Sequence, residues 1–235
     1  MKIFTYLFFI SFSIISISLN AQQDSIVYQE RYGLSLGVDL NKASRTIYDD
    51  DFSGFQIYGD YRLTSDVFLA SEIGFDDMIF RNPVFVKNTT GSYLKVGANW
   101  NVYKNWIGMQ NQIYVGGRLA ASSFSHELQE FEIATRDKFF GNDIRTNQRD
   151  FNDLLATWTE FQLGIRVELI KNIFLGAHIQ FKARITETEL TNFDHFYIPG
   201  FNETNESSNF GFGWGYTLTY LVPFKKVERK QAVDY

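Results

Sequence analysis

The chain has no cysteine among its 235 residues, and it has only 3 prolines. The absence of cysteine excludes disulfide bonds, thiolate metal sites and a lipid-modified cysteine anchor. The scarcity of proline removes a common interruption of long strands. By contrast, the chain has 17 glycines, 24 phenylalanines and 13 tyrosines. This composition favours long, pleated strands over helices.

The chain also lacks an excess of basic residues. It has 22 Lys and Arg against 27 Asp and Glu, a formal net charge of −5. This balance argues against nucleic acid as a partner. We find no glycine-rich phosphate loop, nucleotide fingerprint or Cys/His cluster, so we expect no cofactor and no bound metal.

The N-terminus predicts export. Lys2 precedes an apolar run over residues 3–19, and Ala21 lies near a suitable cleavage point. We interpret residues 1–21 as a secretory signal peptide, with a retained membrane anchor as the alternative. No later segment is apolar enough for a transmembrane helix, so a membrane location would require a β-barrel. We therefore divide the mature chain into a leader (residues 22–30), a barrel (residues 31–224) and a tail (residues 225–235).

The clearest structural signal is the alternation of apolar and polar residues over residues 160–185, with a break at Lys171 and Asn172. A period of two on both sides of a short break predicts a β-hairpin. Each arm has about ten residues or more, which is long for a soluble strand and matches the 9–11 residues of a tilted strand that crosses a bilayer.

The same alternation recurs along the chain. It predicts eight strands, at residues 32–40, 54–63, 67–75, 92–102, 111–122, 160–170, 173–185 and 209–222. Long connections, at residues 41–52, 76–90, 123–153 and 186–208, alternate with short turns. This rhythm is typical of outer-membrane barrels. We predict an all-β fold, an eight-stranded antiparallel up-and-down transmembrane β-barrel with long extracellular loops and short periplasmic turns.

Alternation alone does not say which face points inward. A soluble, exported lipocalin-like carrier would place its apolar face inside. Aromatic residues near the ends of the apolar faces (Tyr32, Tyr61, Trp100 and Tyr220), the small polar-face residues of the last strand and the asymmetric loops favour the membrane. We therefore expect the apolar face to contact lipid.

The opposite face then lines a narrow lumen. The residues that we assign to a lumen charge network are Asp60, Arg62, Glu72, Lys95, Arg118, Glu160, Arg166, Glu168, His178, Lys182 and Arg184, with Asp39 also inward. Acids and bases nearly balance, as a packed polar lumen requires. An ion or proton pathway is the alternative.

Candidate chemistry is limited. Ser125, His126 and Glu127 have the residue types of a hydrolase triad, so a lipid-modifying outer-membrane enzyme is the alternative function, although adjacency in sequence does not suit a triad. His195 lies in an aromatic loop that could cover the barrel mouth or touch a ligand. The acidic run at residues 49–51 lacks the ligand spacing of a calcium loop. We expect no catalytic residues.

Four segments of the chain resemble segments of a known protein family. They are residues 24–34 (DSIVYQERYGL), 91–97 (GSYLKVG), 105–111 (NWIGMQN) and 192–202 (NFDHFYIPGFN). On these, the chain resembles a family of uncharacterised outer-membrane β-barrel proteins typical of Bacteroidota, with an OmpA/OmpX-like architecture. The resemblance implies a barrel and an outer-membrane location, but no activity.

The expected function is therefore that of a non-enzymatic outer-membrane barrel, which acts in surface interaction, adhesion or envelope integrity through its long loops. The expected partners are outer-membrane lipids, lipopolysaccharide and the barrel-assembly machinery during insertion. We expect a monomer that does not bind nucleic acid.

Overall fold

The computed structural model describes residues 25–104, 109–133, 143–146, 149–190, 194–205 and 207–232. The predicted signal peptide, residues 1–21, lies outside them. The described residues form one helix, α1 (Leu40–Tyr48), and eleven strands: β1 (Ser25–Asp39), β2 (Phe52–Arg62), β3 (Val67–Arg81), β4 (Phe85–Asn101), β5 (Gln112–Ile133), β6 (Asp143–Arg145), β7 (Arg149–Ile170), β8 (Ile173–Glu187), β9 (Tyr197–Ile198), β10 (Asn202–Glu203) and β11 (Phe210–Ala232).

The long strands close into a ring. Each pairs antiparallel with the next long strand along the chain, and β1 pairs with β11 to complete the circuit. Strand β6 flanks the end of β5, while β9 and β10 form a separate small sheet. The predicted antiparallel all-β barrel is confirmed. The predicted count of eight strands omits β6, β9 and β10, because strands of two or three residues give no period-two signal.

The strands extend beyond their predicted bounds. Residues 76–90 were expected to form a loop, but β3 runs to Arg81 and β4 starts at Phe85. Much of the expected loop at residues 123–153 is also strand, because β5 runs to Ile133 and β7 starts at Arg149. These extensions carry polar residues on both faces, so backbone pairing maintains them without an alternating pattern.

The predicted leader and tail also differ from expectation where they are described. Ser25 pairs with Ala232, and the ladder between β1 and β11 continues inward to the pair of Asp39 and Thr217. The expected loop at residues 41–52 contains α1 instead. Asp39 begins this helix as its N-cap, since its side chain accepts a hydrogen bond of 2.9 Å from the backbone N–H of Lys42. No helix of the described chain is long and apolar enough to cross a membrane.

The two faces of the ring differ sharply in polarity. The side chains buried inside are mostly polar, and they include Gln56, Asp60, Glu72, Lys95, Asn99, Arg118, Glu160, Gln162, Arg166 and Lys182. The large apolar side chains of the strands point outward and are exposed, among them Leu69, Leu94, Trp100, Leu119, Phe161, Ile165, Phe181, Phe212 and Leu218. A lipocalin-like carrier would have an apolar interior, whereas most of the buried side chains of the described strands are polar.

The two ends of the barrel are also different. We call the end with the short turns at residues 63–66 and 171–172 the turn end, and the opposite end the loop end. A compact hydrophobic core lies at the loop end, where buried residues of β4, β5 and β7 pack against Ile198 and Phe201. The fold therefore has a polar interior that is closed at the loop end by an apolar layer.

Candidate functional site at the loop end

A chain of buried charges fills the middle of the lumen. The Nζ atom of Lys95 lies 2.9 Å from Glu160 Oε1 and 3.5 Å from Glu72 Oε2. Arg118 Nε lies 3.4 Å from the other oxygen of Glu72. Gln162 Nε2 donates to both glutamates, at 3.0 Å to Glu160 and 3.3 Å to Glu72. The structure thus brings four of the predicted lumen charges into one hydrogen-bonded network.

Other predicted lumen charges form separate contacts. Toward the turn end, Arg166 pairs with Asp60 and donates a hydrogen bond of 3.0 Å to Ser35 Oγ. His178 lies inward, with its Nε2 atom 2.9 Å from Gln180 Nε2. The remaining pairs are half-buried and stand nearer the barrel ends: Arg62 with Glu30, Glu168 with Arg31, and Arg184 with Glu187.

The lumen is closed at the loop end by residues 194–203, which we call the plug segment. Strands β9 and β10 pair within it as a small hairpin. Tyr197, Ile198 and Phe201 are each at most 2% exposed. The ring of Phe201 packs edge-on against Trp158 of β7, with 5.8 Å between centroids. Part of the aromatic loop therefore folds back into the barrel mouth and becomes its core.

Gly200 permits the tight turn of the plug segment. Its φ is +80°, and a Cβ atom there would lie 2.5 Å from Cγ of Tyr93. The Tyr93 ring is held in place, because its hydroxyl donates a hydrogen bond of 2.7 Å to Gln56 Oε1. Both the backbone conformation and the available space therefore require glycine at this position.

Asp76 is the main polar anchor of the plug segment. Its Oδ2 atom accepts hydrogen bonds of 2.9 Å from Tyr197 Oη and from the backbone N–H of Gly200. Its Oδ1 atom accepts from Lys42 of α1. The carboxylate is fully buried. One charge on β3 thus joins the plug segment and α1 to the barrel wall. Burial, together with the charge of the Asp76 carboxylate, raises the pKa of Tyr197 well above its ordinary value.

Two lysines bind carbonyl groups of the plug segment. Lys182 Nζ donates hydrogen bonds of 2.9 Å to the carbonyl of Gly200 and 3.1 Å to the carbonyl of Phe201. Lys87 Nζ donates to the carbonyls of His195 and of Asp194, the latter at 3.2 Å. Burial lowers the pKa of Lys87 to about 7. These bonds satisfy backbone oxygens that would otherwise be buried without partners.

A pair of histidines links β5 to the plug segment. His126 Nε2 lies 2.9 Å from His195 Nδ1, and His126 Nδ1 lies 2.9 Å from Thr89 Oγ1. His195 Nε2 lies 2.7 Å from the carbonyl of Thr188 and must donate to it. When both rings are neutral, all three bonds form if Thr89 donates to His126 and His126 donates to His195. Burial lowers the pKa of both, that of His126 to about 2.

The residues of the alternative triad do not meet. His126 points inward and is buried, whereas Ser125 and Glu127 occupy the positions on either side of it in β5. Because successive side chains of a strand alternate between faces, both point away from the histidine. The acidic run at residues 49–51 instead contacts arginines: Asp49 accepts 2.8 Å from Arg45, and Asp51 accepts 2.8 Å from Arg81. Among the described residues, no group of three or more His, Asp or Glu is placed to hold a metal.

Sequence reasoning missed two anchors. Asp76 was expected to begin a loop, and Lys87 was expected to lie within one. Asp76 is in phase with the inward Glu72 and Gly74, and Lys87 is in phase with the inward Tyr93 and Lys95. The neighbouring outward positions Asp77 and Asn88 are polar, however, so the alternation ends before it reaches either anchor. The only signal was the segment of residues 192–202, whose aromatic content singled it out; its first two residues lie outside the described part of the chain.

Comparison with known proteins gives a family and a distant structural likeness. A family model described as "Domain of unknown function (DUF6048)" matches residues 1–227. No curated protein matches. Among solved structures, Ail, the attachment invasion locus protein of Yersinia pestis, is similar at 8% identity and a TM-score of 0.39; the match covers 84% of this chain and 98% of Ail.

Proposed function

Because the chain belongs to the DUF6048 family, for which no function is defined, we propose a role from the geometry of its barrel: it is a non-enzymatic, eight-stranded transmembrane barrel of the outer membrane, closed to flow and acting through its loop end. Its role would be in surface interaction, adhesion or envelope integrity, in keeping with an OmpA/OmpX-like architecture in Bacteroidota. The barrel would be a monomer, inserted by the assembly machinery and surrounded by outer-membrane lipids and lipopolysaccharide.

The observation that carries this proposal is a continuous apolar belt on the outer face. On β7 the outward residues from 161 to 169 are Phe, Leu, Ile, Val and Leu, and all five are exposed. Outward positions of β4 and β11 are likewise apolar, from Leu94 to Trp100 and from Phe210 to Tyr220. A span of nine to eleven tilted residues matches the bilayer core, whereas water would strongly disfavour such a surface.

The polar interior supports a structural role for the lumen. Its buried carboxylates face lysines and arginines across the ring, and an eight-stranded barrel is only wide enough for side chains to fill. The plug segment covers the loop end. This arrangement favours a stable, non-conducting body, so the work of the protein would be done where the loop end meets its surroundings.

The loop end offers the surface for that work. Strands β3, β4, β5 and β7 continue well beyond the apolar belt, and they carry the turn at residues 82–84 away from the bilayer. Aromatic residues gather there, since Phe196 packs against Phe80 and Phe85 with ring centroids 5.6 Å and 5.2 Å apart. A projecting rigid sheet with an aromatic tip suits contact with another surface.

The test is fractionation of cells followed by electrophoresis with and without heating. We expect the folded protein in the outer-membrane fraction, with a heat-dependent change in mobility. Ile165→Arg, in the middle of the belt, should prevent insertion, because arginine at the bilayer midplane costs about 2–4 kcal/mol. Glu127→Arg, outward but beyond the belt, should insert normally. Recovery of the unaltered protein among soluble periplasmic contents would refute the proposal.

A further inference from the structure

The barrel wall is incomplete toward the loop end. Strand β1 pairs with β2 from Leu34 to Val38, and it leaves β11 after the pair of Asp39 and Thr217. Strands β2 and β11 both continue beyond this point, to residues 52 and 210. In the described chain no strand joins them there. Helix α1 stands in the gap instead.

Helix α1 is attached unequally to the two sides of the gap. Toward β2, the Thr46 hydroxyl contacts both the N–H of Gly54 at 2.9 Å and its carbonyl at 3.1 Å. Toward β11, Asn41 Nδ2 reaches the carbonyl of Trp214 at 3.3 Å. A side-chain contact of this length is weaker than a strand ladder. The side of α1 that faces β11 is therefore the weaker seam of the wall.

A cavity of about 610 Å³ lies behind this seam. Its inner lining includes Lys95 and Lys182, which point into the lumen. Its outer lining includes Phe212 and Trp214, whose side chains lie on the lipid-facing surface and are about half exposed. The cavity therefore reaches the wall at β11, where the inward positions 211 and 213 are glycines and leave the backbone uncovered. Gly213 lets the side chains of Gln180 and Lys182 lie directly against the wall, since a Cβ there would lie 3.0 Å from Gln180 Oε1 and 3.1 Å from Lys182 Nζ.

The charges that face the cavity are mainly positive. Its lining contains the bases Lys42, Arg45, Lys95 and Lys182 and the acids Asp39 and Glu203. The carboxylates that pair with these bases, such as Asp76 and Asp49, are not among the lining residues. Each of the four bases thus has a carboxylate partner outside the lining, and all four border the cavity. Asp39 is itself bound to the N-terminus of α1.

We propose that this cavity binds an amphiphile with an acidic head group, a phosphate or a carboxylate, which enters sideways from the lipid layer between α1 and β11. The head group contacts Arg45 and Lys182, and the chain lies along Phe210, Phe212 and Trp214. A soluble anion would not need an apolar entrance, and a neutral lipid would not need four cations. The volume suits a head group with the first part of a chain. The inference rests on the proposed membrane location.

The test is calorimetric titration of the purified barrel in a neutral maltoside detergent with dodecyl phosphate. Inorganic phosphate is the head-group control, and a parallel titration with dodecanoate distinguishes a phosphate from a carboxylate ligand. We expect at least one of the two amphiphiles to bind at least tenfold more tightly than inorganic phosphate. Equal affinity for inorganic phosphate, or no binding of either amphiphile, would overturn the proposal.

Two variants locate the binding. Arg45→Ala removes a cation from the lining, and Gly213→Leu adds a side chain that displaces Lys182 within the lining, so each should weaken binding at least fivefold. Arg81→Ala is the matched control, since Arg81 also pairs with an acid of residues 49–51 but does not line the cavity. Each variant is first checked for the heat-dependent mobility of a folded barrel. A folded, membrane-inserted protein whose binding is unaffected by both variants contradicts this inference alone, whereas a protein that never inserts contradicts the proposed function.

Discussion

His126 of β5 and His195 of the plug segment lie 2.9 Å apart, ring nitrogen to ring nitrogen, in a buried contact that joins residues 69 positions apart in the chain. Both rings form their bonds when neutral. If both were protonated, two N–H groups would point at each other. The pair therefore favours the neutral state, in agreement with the lowered pKa of each.

The first prediction concerns pH. The pKa of a histidine in the unfolded chain is about 6.5, whereas burial lowers the pKa of His126 in the folded protein to about 2. The stabilising contribution is thus present above pH 6.5 and is lost as the pH falls. We expect His126 alone to reduce the free energy of unfolding by about 2 kcal/mol between pH 7 and pH 5. Urea unfolding of the barrel in lipid vesicles at pH 7 and at pH 5 measures this difference in the free energy of unfolding.

The double variant His126→Gln/His195→Gln is the control for this effect. It should be less stable at pH 7, since the paired rings are lost, but its stability should depend less on pH between 7 and 5. An unchanged pH dependence would show that the pair does not titrate as described.

The second prediction concerns the turn of the plug segment. Gly200→Ala introduces a Cβ against the fixed ring of Tyr93 at a positive φ, so we expect a loss of about 2 kcal/mol or more. Gly117→Ala is the matched control, because a Cβ at that outward position meets nothing within 4 Å. Unfolding midpoints in urea compare the two. Equal midpoints would contradict the close packing of Gly200.

The third prediction concerns the anchor of the plug segment. Asp76→Asn removes a charge and replaces one acceptor oxygen by an N–H group, so that at least one donor among Tyr197, Gly200 and Lys42 loses its partner. A buried unsatisfied donor costs about 1–3 kcal/mol. We expect chymotrypsin to cut the plug segment of the folded variant faster than that of the unaltered protein. Asp77→Asn, at the next and outward-facing position, should leave the cutting rate unchanged.

The fourth prediction compares a buried ion pair with an exposed one. Lys95→Met leaves two buried carboxylates, Glu160 and Glu72, without their shared cation, and should destabilise the barrel by about 3–5 kcal/mol. Adding Glu160→Gln should restore part of this loss. Arg81→Met, which breaks an exposed pair with Asp51, should change stability by less than about 1 kcal/mol. Urea midpoints in vesicles decide between these outcomes.

The sequence predicts the ring because period-two alternation is a local property. Wherever one face is apolar and the other is polar, as over residues 160–185, the type of each residue indicates which way its side chain points. The inward positions of Lys95, Glu160 and Arg166 follow from that alternation alone. The sequence does not reveal which of them pair, because partners such as Lys95 and Glu160 come from strands distant in the chain.

The loop end could not be predicted in this way. The apolar residues Leu40, Ala43 and Ile47 of α1 do have helical spacing, but the helix has only nine residues. The plug segment has no sustained period, and the conformations of both depend on distant groups. Asp76 and Lys182 contact the plug segment from two different strands. The gap in the wall is equally hidden, because it follows from the residue at which β1 leaves the ladder. A cap at Asp39 followed by a helix reads in the sequence as an ordinary polar loop.

The pairing of β1 with β11 has a consequence for how the protein is made. The ring is closed by its first and last strands, through contacts that begin at Ser25 and Ala232. No intermediate that lacks the last strand can close, however well the other hairpins have formed. Such a precursor exposes an unpaired strand edge on each side. Pairing β1 with β11 is also slow, because the two strands are far apart in the sequence. We therefore expect closure to be the final step of assembly, and the nascent edges of β1 and β8 to be the ones that need protection until then.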